Sequence, residues 1–533
     1  MKNSEHLIDR RRFLKGSAAA ALAPAALGGA LQAQASPQGG GSVSTGATAG
    51  RPNLLYVFTD QQSFDMLGCY GNEQVHTPAI DRMAGEGVRF TSAFSTFPVC
   101  TPYRGMLMSG QHALYNGCCR NEWQLLTDAG PSFGEVLRDA GYRCGYVGKW
   151  HLYGGDRNRP VPAGPHRHGF DGTFLTNNCA VDYRPGAAFY WDGDEKVKFG
   201  EWEQFGQTGQ ALDFLNRCSP DDDDPFALFV SWHPPHDHSP GKPESNGYLA
   251  PDPFYSQHEP LDKIRLRPDQ DDDLRHRRMM RGHMALVDTI DVCMAQIEAK
   301  LAERGLKDNT LVVFTSDHGD MLTYLRDSDR RMVKTRPEPT SAQVPMIMRF
   351  PGRLRPRSSD LLFGTLDIMP TILTMLGIEP PASCQGRDLA RDIARGNDDA
   401  VEDLHFYSLL GRPGWRGVIT REHVYSTYFG RRRNYYPDNY QLLIERASDP
   451  YVRNNLYGER AARALQENLH RRTIQWMERY GDRGWEYRDL ERLCMADQQA
   501  YPRRSGALKG RPIDIMRESG VKGILDENPS PGW

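Results

Sequence analysis

The chain has 533 residues, 39% hydrophobic and 25% charged, so it can bury a large core and is not disordered as a whole. Its 65 basic and 68 acidic side chains leave a formal charge of -3, which gives no electrostatic reason to expect a nucleic-acid partner. Ten cysteines in this length, with no C-x-x-C pair or zinc spacing, exclude a disulfide scaffold and a cysteine zinc site.

At the N-terminus, Arg10-Arg11-Arg12-Phe13-Leu14-Lys15 precedes an apolar, alanine-rich stretch from Ser17 to Leu31, closed by Ala33-Gln34-Ala35. Basic, apolar, then small is the order of a cleavable secretory signal, and paired arginines before Phe-Leu-Lys resemble a twin-arginine export signal. The apolar part is too short and glycine-rich for a stable membrane anchor. The expectation is a signal over residues 1–35, read by a twin-arginine translocase, then a flexible Gly/Ser/Thr linker over 36–50. The mature protein would be periplasmic or secreted.

From Arg51 onward, short apolar runs end in polar residues. Asn53–Thr59 ends at Asp60-Gln61; Tyr142–Val147 runs into Gly148-Lys149-Trp150-His151; Phe226–Trp232 into His233-Pro-Pro-His236; and Leu311–Thr315 into Ser316-Asp317-His318-Gly319. Continuous apolar runs of this length are typical of strands buried on both faces of a parallel sheet. Between them lie helical patterns. Pro102 suits a first helical turn, placing Cys100 at or just before a helix N-terminus and Arg104 one turn along. Phe133, Val136 and Leu137 mark a helix over Pro131–Ala140. Met280, Met284, Val287, Ile290, Met294, Ile297 and Leu301 mark the clearest one, stopped by Gly305.

Alternating strands and helices specify an α/β fold, in which ligands gather at the carboxyl ends of the strands. A single Asp or His after a strand is commonly a cap or turn residue. Four runs ending in Asp, Gln, Lys and His point to one polar site assembled from distant segments. Taken alone, Cys100 could still be a buried thiol and Arg104 a solvated charge. The acidic runs Asp221–Asp224 and Asp271–Asp273 and the triplet Arg431–Arg433 read as solvated loops. From Ser383 the pattern changes to short strand-like segments, Gly417–Thr420, His423–Phe429 and Tyr440–Ile444, then an amphipathic helix over Glu459–Tyr480 and a surface tail. The domain expectation is therefore a catalytic unit over 51–382 and a smaller α+β subdomain over 383–533.

The segment Cys100-x-Pro102-x-Arg104 resembles the signature of the formylglycine-dependent sulfatases, within the alkaline phosphatase superfamily. The resemblance extends through Arg51-Pro-Asn-Leu-Leu, Gly148-Lys-Trp-His151, Pro235-His236, Ser316-Asp-His-Gly-Asp320, Val344-Pro-Met-Ile-Met-Arg-Phe-Pro-Gly352 and Asp449-Pro450-Tyr451 to Asn455-Leu456. It implies an alkaline phosphatase-like fold: a large mixed, mostly parallel sheet flanked by helices. It also implies that a separate maturation enzyme oxidises Cys100 to formylglycine before folding, because a geminal diol can expel sulfate where a serine or thiol would remain trapped as a stable ester.

The same resemblance implies a divalent cation held by Asp60, Gln61, Asp317 and His318 with an oxygen of modified Cys100. Gln61 stands where a second aspartate is commoner and His318 where asparagine is commoner. Calcium suits the oxygen donors, and magnesium stays open. Arg104 and Lys149 are expected to hold formylglycine and sulfate oxygens, His151 to bond the hydrate, and His236 to protonate the departing alcohol. Lys334 resembles the family's second sulfate-binding lysine, although Glu338-Pro339 stands where an aromatic-acidic pair is expected. The implied activity is hydrolysis of a sulfate ester, on a carbohydrate or other sulfated small molecule. A phosphonate or phosphate ester hydrolase with the same nucleophile is the closest rival, and a binding protein that has lost catalysis the rival from another class. Specificity would lie in loops 155–210, 237–270 and 405–440.

Overall fold

The computed structural model describes residues 50–238, 247–324, 331–409, 414–428 and 441–482. The export signal, all but the last residue of the linker, the Arg431–Arg433 triplet, the tail and parts of two of the three specificity loops lie outside these residues.

Ten strands form one sheet: β1 (Asn53–Asp60), β2 (Val88–Phe90), β3 (Arg143–Lys149), β4 (Thr173–Asn177), β5 (Phe189–Asp192), β6 (Glu195–Lys198), β7 (Phe226–Pro235), β8 (Thr310–Ser316), β9 (Met346–Arg349) and β10 (Arg357–Ser359). Their spatial order is β10-β2-β9-β8-β1-β7-β3-β4-β5-β6. The five central strands β8-β1-β7-β3-β4 are parallel, whereas β9 joins antiparallel at one side and the β5–β6 hairpin at the other. All four apolar runs are thus neighbouring parallel strands, each a residue or more longer than its apolar run.

Successive side chains of a strand point to opposite faces. On β1, Leu54, Tyr56 and Phe58 enter one core and Leu55 and Val57 the other, which is why the run is apolar throughout. The helices α1 (Pro78–Glu86), α2 (Cys100–Ser109), α3 (Phe133–Asp139), α4 (Glu203–Asn216) and α5 (Leu274–Glu303) cover the two faces. Helix α3 contributes Phe133 and Leu137 to the first core, and α4 and α5 pack in the second through Phe214, Met284, Ile290 and Ile297. Ser132 caps α3 in a reciprocal box with Glu135. Asp273 caps α5, two turns earlier than the apolar pattern begins, and Gly305 beyond its end takes φ 70°.

Further along, a four-stranded antiparallel sheet forms from β11 (Asp403–Ser408), β12 (Trp415–Thr420), β13 (His423–Tyr428) and β14 (Leu442–Glu445), with α6 (Arg463–Arg479) packed on it. Strand β11 was not marked by the sequence pattern. No helix among the described residues is long and apolar enough to cross a membrane.

Candidate active site

Four neighbouring strands, β8, β1, β7 and β3, end at the same edge of the sheet and deliver Asp317-His318, Asp60-Gln61, His236 and Lys149-Trp150-His151. Their ends are irregular where the side chains must converge. The β1–β7 register slips between Thr59 and Asp60, and Gln61 and His151 adopt φ values of 68° and 55°, a region few non-glycine residues occupy. At the end of β3, Gly148 has φ 103°, and a Cβ there would lie 2.1 Å from the Ser231 carbonyl oxygen. Only glycine lets β3 turn Lys149 inward against β7.

Cys100 is the first residue of α2, buried at 1% exposure. Its Sγ, standing where a formylglycine hydroxyl would be, lies 3.1 Å from Lys334 Nζ, 3.2 Å from His318 Nε2 and 3.7 Å from Asp60 Oδ1. Ligand atoms of Asp60, Cys100, Asp317 and His318 all lie within 4.8 Å of one another, and all four residues are buried. Lys334 Nζ also meets His236 Nε2 at 3.0 Å. His236 and Lys334 are the half-buried members, so the site opens to solvent on their side.

Arg104 sits among the carboxylates. Its Nη2 donates to Asp60 Oδ2 at 3.3 Å and Asp317 Oδ2 at 3.0 Å, and its Nη1 to the Lys149 carbonyl and Ser231 Oγ. The guanidinium braces the two carboxylates. Lys149 Nζ likewise bonds Asp60 Oδ2. Burial alone would push the Asp60 carboxyl up, but the ammonium of Lys149 and its cationic neighbours hold it well below the usual range. Burial and the adjacent Asp60 push Asp317 up. Two carboxylates buried side by side, sharing one guanidinium, are a site that stays fully ionised with a further cation.

The donor set fits such a cation. His318 Nδ1 donates to the Gly319 carbonyl at 3.0 Å, which leaves the Nε2 lone pair facing Asp60, Asp317 and Cys100. Gln61 donates its amide nitrogen to Asp237 and Asp320 at 2.8 and 2.7 Å, so its Oε1 is left buried without a hydrogen-bond partner. Two carboxylates, an orphaned amide oxygen and an imidazole lone pair are available to a divalent metal.

Buried behind these side chains is a second tier. His151, with Glu122 3.6 Å away, is pushed up to about 9 despite its burial, by Cys179, Cys100 and Glu122. His233 bonds Glu203 at 3.0 Å and lies on the far side of Cys179. Thr335, next to Lys334, receives the indole N–H of Trp415 on its carbonyl at 2.9 Å and donates its own N–H to Pro98. Glu338 pairs with Arg336 and does not approach Lys334 in any bond seen here. Sequence reasoning did not single out Ser231, Asp237, Glu203, Cys179 or Trp415. For Asp237 the adjacency to His236 was the available signal, and Asp320 already lay within the Ser316–Asp320 motif.

Residues 52–378 match the family model described as Sulfatase, and residues 328–479 match the one described as N-sulphoglucosamine sulphohydrolase, C-terminal. The chain is 30% identical to an endo-4-O-sulfatase of Bacteroides thetaiotaomicron over 76% of this chain and 88% of that protein. It is 28% identical to an ulvan-active sulfatase of Formosa agariphila, covering 81% and 82%. A crystal structure of yidJ from Bacteroides fragilis, a protein assigned to the sulfatases, superposes with a TM-score of 0.72 at 28% identity, covering 83% of this chain and 98% of that one. With one family model spanning more than half of its length and named sulfatases aligned along most of it, the chain belongs to the sulfatase family of the alkaline phosphatase superfamily and is a sulfuric ester hydrolase.

Proposed function

We propose that the enzyme hydrolyses sulfate esters of a carbohydrate through Cys100 converted to formylglycine, with calcium held by Asp60, Gln61, Asp317, His318 and an oxygen of the modified residue. The observation that carries this reading is the position of Cys100. It begins a helix, is buried, and lies within one cluster of metal-ligating atoms that Lys149, Lys334 and Arg104 surround with positive charge. The sugar name in the matched C-terminal family supports a saccharide substrate, as does the half-buried mouth at His236 and Lys334, which offers cationic donors to a sulfate group.

Modified Cys100 supplies a geminal diol, one hydroxyl to displace the alcohol from sulfur and the other to expel sulfate as the aldehyde re-forms. The bound cation supplies a Lewis acid for the sulfuryl oxygens. Arg104 orients Asp60 and Asp317, and Lys149 holds Asp60 ionised. Lys334, within 3.1 Å of both Cys100 Sγ and His236 Nε2, is placed to hold a sulfuryl oxygen between nucleophile and acid. His236 Nδ1 bonds the Asp237 carbonyl at 2.8 Å, which aims Nε2 at the mouth, where it delivers a proton to the departing alkoxide. His151, close to Cys100 and 3.6 Å from Glu122, is placed to hydrogen-bond the second hydroxyl of the hydrate.

The burial of Cys100 supports oxidation before folding, hence before export by a folded-protein route, in keeping with a twin-arginine signal at residues 1–35 and a periplasmic or secreted enzyme. The test has two parts. Protein co-expressed with a formylglycine-generating enzyme is examined by mass spectrometry of the Cys100 peptide, which should show aldehyde in place of thiol. Sulfate and phosphate esters of one phenol are then compared, followed by defined sulfated saccharides. Faster phosphate-ester turnover would replace the sulfatase reading with the phosphate or phosphonate hydrolase. Cys100→Ala should lower sulfate-ester turnover by at least about a thousandfold while leaving the melting temperature near that of the parent.

A further inference from the structure

Outside the catalytic cluster, two other groups of histidine and aspartate side chains bring ligand atoms within 4.8 Å of one another among the described residues. In the first, His112, His405 and Asp482 are buried, but Arg416 grips both carboxylate oxygens of Asp482 at 2.7 and 3.1 Å. A fixed cation already occupies that place. In the second, His76, His258 and Asp288, no arginine or lysine of the described residues pairs with the carboxylate.

Three separate segments deliver this second group. Asp288 lies on α5 one turn before Asp291, whose carboxylate accepts from the N–H groups of Ala79 and Ile80 and docks the start of α1. The same docking brings in His76, whose backbone N–H donates to Asp288 Oδ1 at 2.7 Å. His258 arrives from the chain preceding α5, where its neighbour Gln257 donates Nε2 to Asp288 Oδ2 at 2.8 Å.

The geometry between His258 and Asp288 is the decisive feature. His258 Nε2 lies 2.9 Å from Asp288 Oδ2, and the two side chains are 2% and 1% exposed, yet Nε2 is without a hydrogen-bond partner. The atoms are close enough to bond, but the ring nitrogen is not aligned on the oxygen. A buried ion pair aims its N–H at the carboxylate, because the unmet bond costs several kcal/mol otherwise. Two donor atoms side by side, neither directed at the other, are what two ligands of one ion present. The exposed His76 ring, its centroid 5.4 Å from that of His258, closes a third side and leaves the fourth to solvent.

We propose that His76, His258 and Asp288 bind a divalent transition metal, zinc above all, at a second site independent of the catalytic cluster. Two imidazoles and one carboxylate suit zinc rather than calcium or magnesium, and three protein ligands leave a position for water. The ion ties the approach to α1 and the segment carrying His258 to α5. The same segment begins near Tyr248, whose hydroxyl bonds Asp320, the residue that also holds the Gln61 amide. The clamp therefore secures chain that braces one wall of the active site.

The experiment uses untagged full-length protein carrying Cys100→Ala in saturating calcium, so that no thiol offers zinc a second home beside His318. After equilibrium dialysis against zinc, metal analysis should find one more zinc per chain in this parent than in the same protein carrying His76→Ala. His76 is exposed, so that substitution leaves the core intact. His258→Gln should likewise weaken zinc binding by about 30-fold or more, the loss expected for one of three ligands. Zinc should raise the melting temperature of the parent and not that of either variant, and cobalt in the same site should show visible bands without a sulfur charge-transfer band. Equal zinc content in the parent and His76→Ala, whether high or nil, overturns the proposal.

Discussion

Arg104 illustrates how one buried charge can be structural and still decide chemistry. It is 1% exposed, its guanidinium lies 4.8 Å over the Phe58 ring, and it holds the inner oxygens of Asp60 and Asp317. Replacing it with methionine removes the charge but keeps the bulk, leaving two buried carboxylates with too little compensation. Arg104→Met should cost about 3–5 kcal/mol, the range for breaking a buried ion pair, and calcium should recover part of the lost melting temperature. A variant as stable as the parent in chelator would contradict the bracing role. At this scale the sequence was legible wherever a polar residue ended an apolar run: Asp60, Lys149, His236 and Asp317 all stood out that way. Ser231 and Asp237 did not, because a serine inside a strand or an aspartate beside a histidine looks ordinary until the fold brings a guanidinium or an amide to it. The contacts of Arg104 with Asp60 and Asp317 were not legible for a related reason. Spacing gives the side of a helix a residue occupies, not which of several anions it meets there.

Elements place these residues by their ends rather than their middles. Gly148 is the clearest case, since its φ of 103° and the Ser231 carbonyl leave no room for a side chain. Gly148→Ala should destabilise the protein by at least about 2 kcal/mol and displace Lys149, with activity falling further than melting temperature. The central strands were readable because burial on both faces writes an unbroken apolar run. The β5–β6 hairpin was not: it is an edge piece of exposed and half-buried residues such as Lys196 and Trp191. Strand β11 was hidden for another reason: it is buried from Leu404 to Ser408, but Asp403, His405 and Ser408 break its apolar pattern. One element does more than its sequence announces. Strand β12 sends the Trp415 indole to the Thr335 carbonyl beside Lys334. Trp415→Phe keeps the ring and removes that bond, worth about 1 kcal/mol. A several-fold fall in kcat/KM with little change in melting temperature is expected, and an unchanged kcat/KM would show that Lys334 is held without it.

For the molecule as a whole, buried histidines set the acid limit of stability. Burial pushes His168, His283 and His405 down to about 4. A histidine whose folded value is depressed contributes stability that is fully present above its unfolded value near 6.5 and is lost as pH falls toward 4. Each is worth up to about 3 kcal/mol between those limits, so melting temperature should decline steadily from pH 7 to pH 4.5. His168→Gln should flatten that decline by the equivalent of one proton, and a flat profile in the parent would show the histidines are already solvated. The hydrogen bond between Thr335 and Trp415 also spans 80 residues of chain and so has a direction in time. On the ribosome the carboxylates, the arginine and the cysteine emerge long before the indole that steadies the Lys334 turn. A nascent chain can therefore bring the carboxylates, Cys100 and Arg104 together while the turn that carries Lys334 is still unanchored.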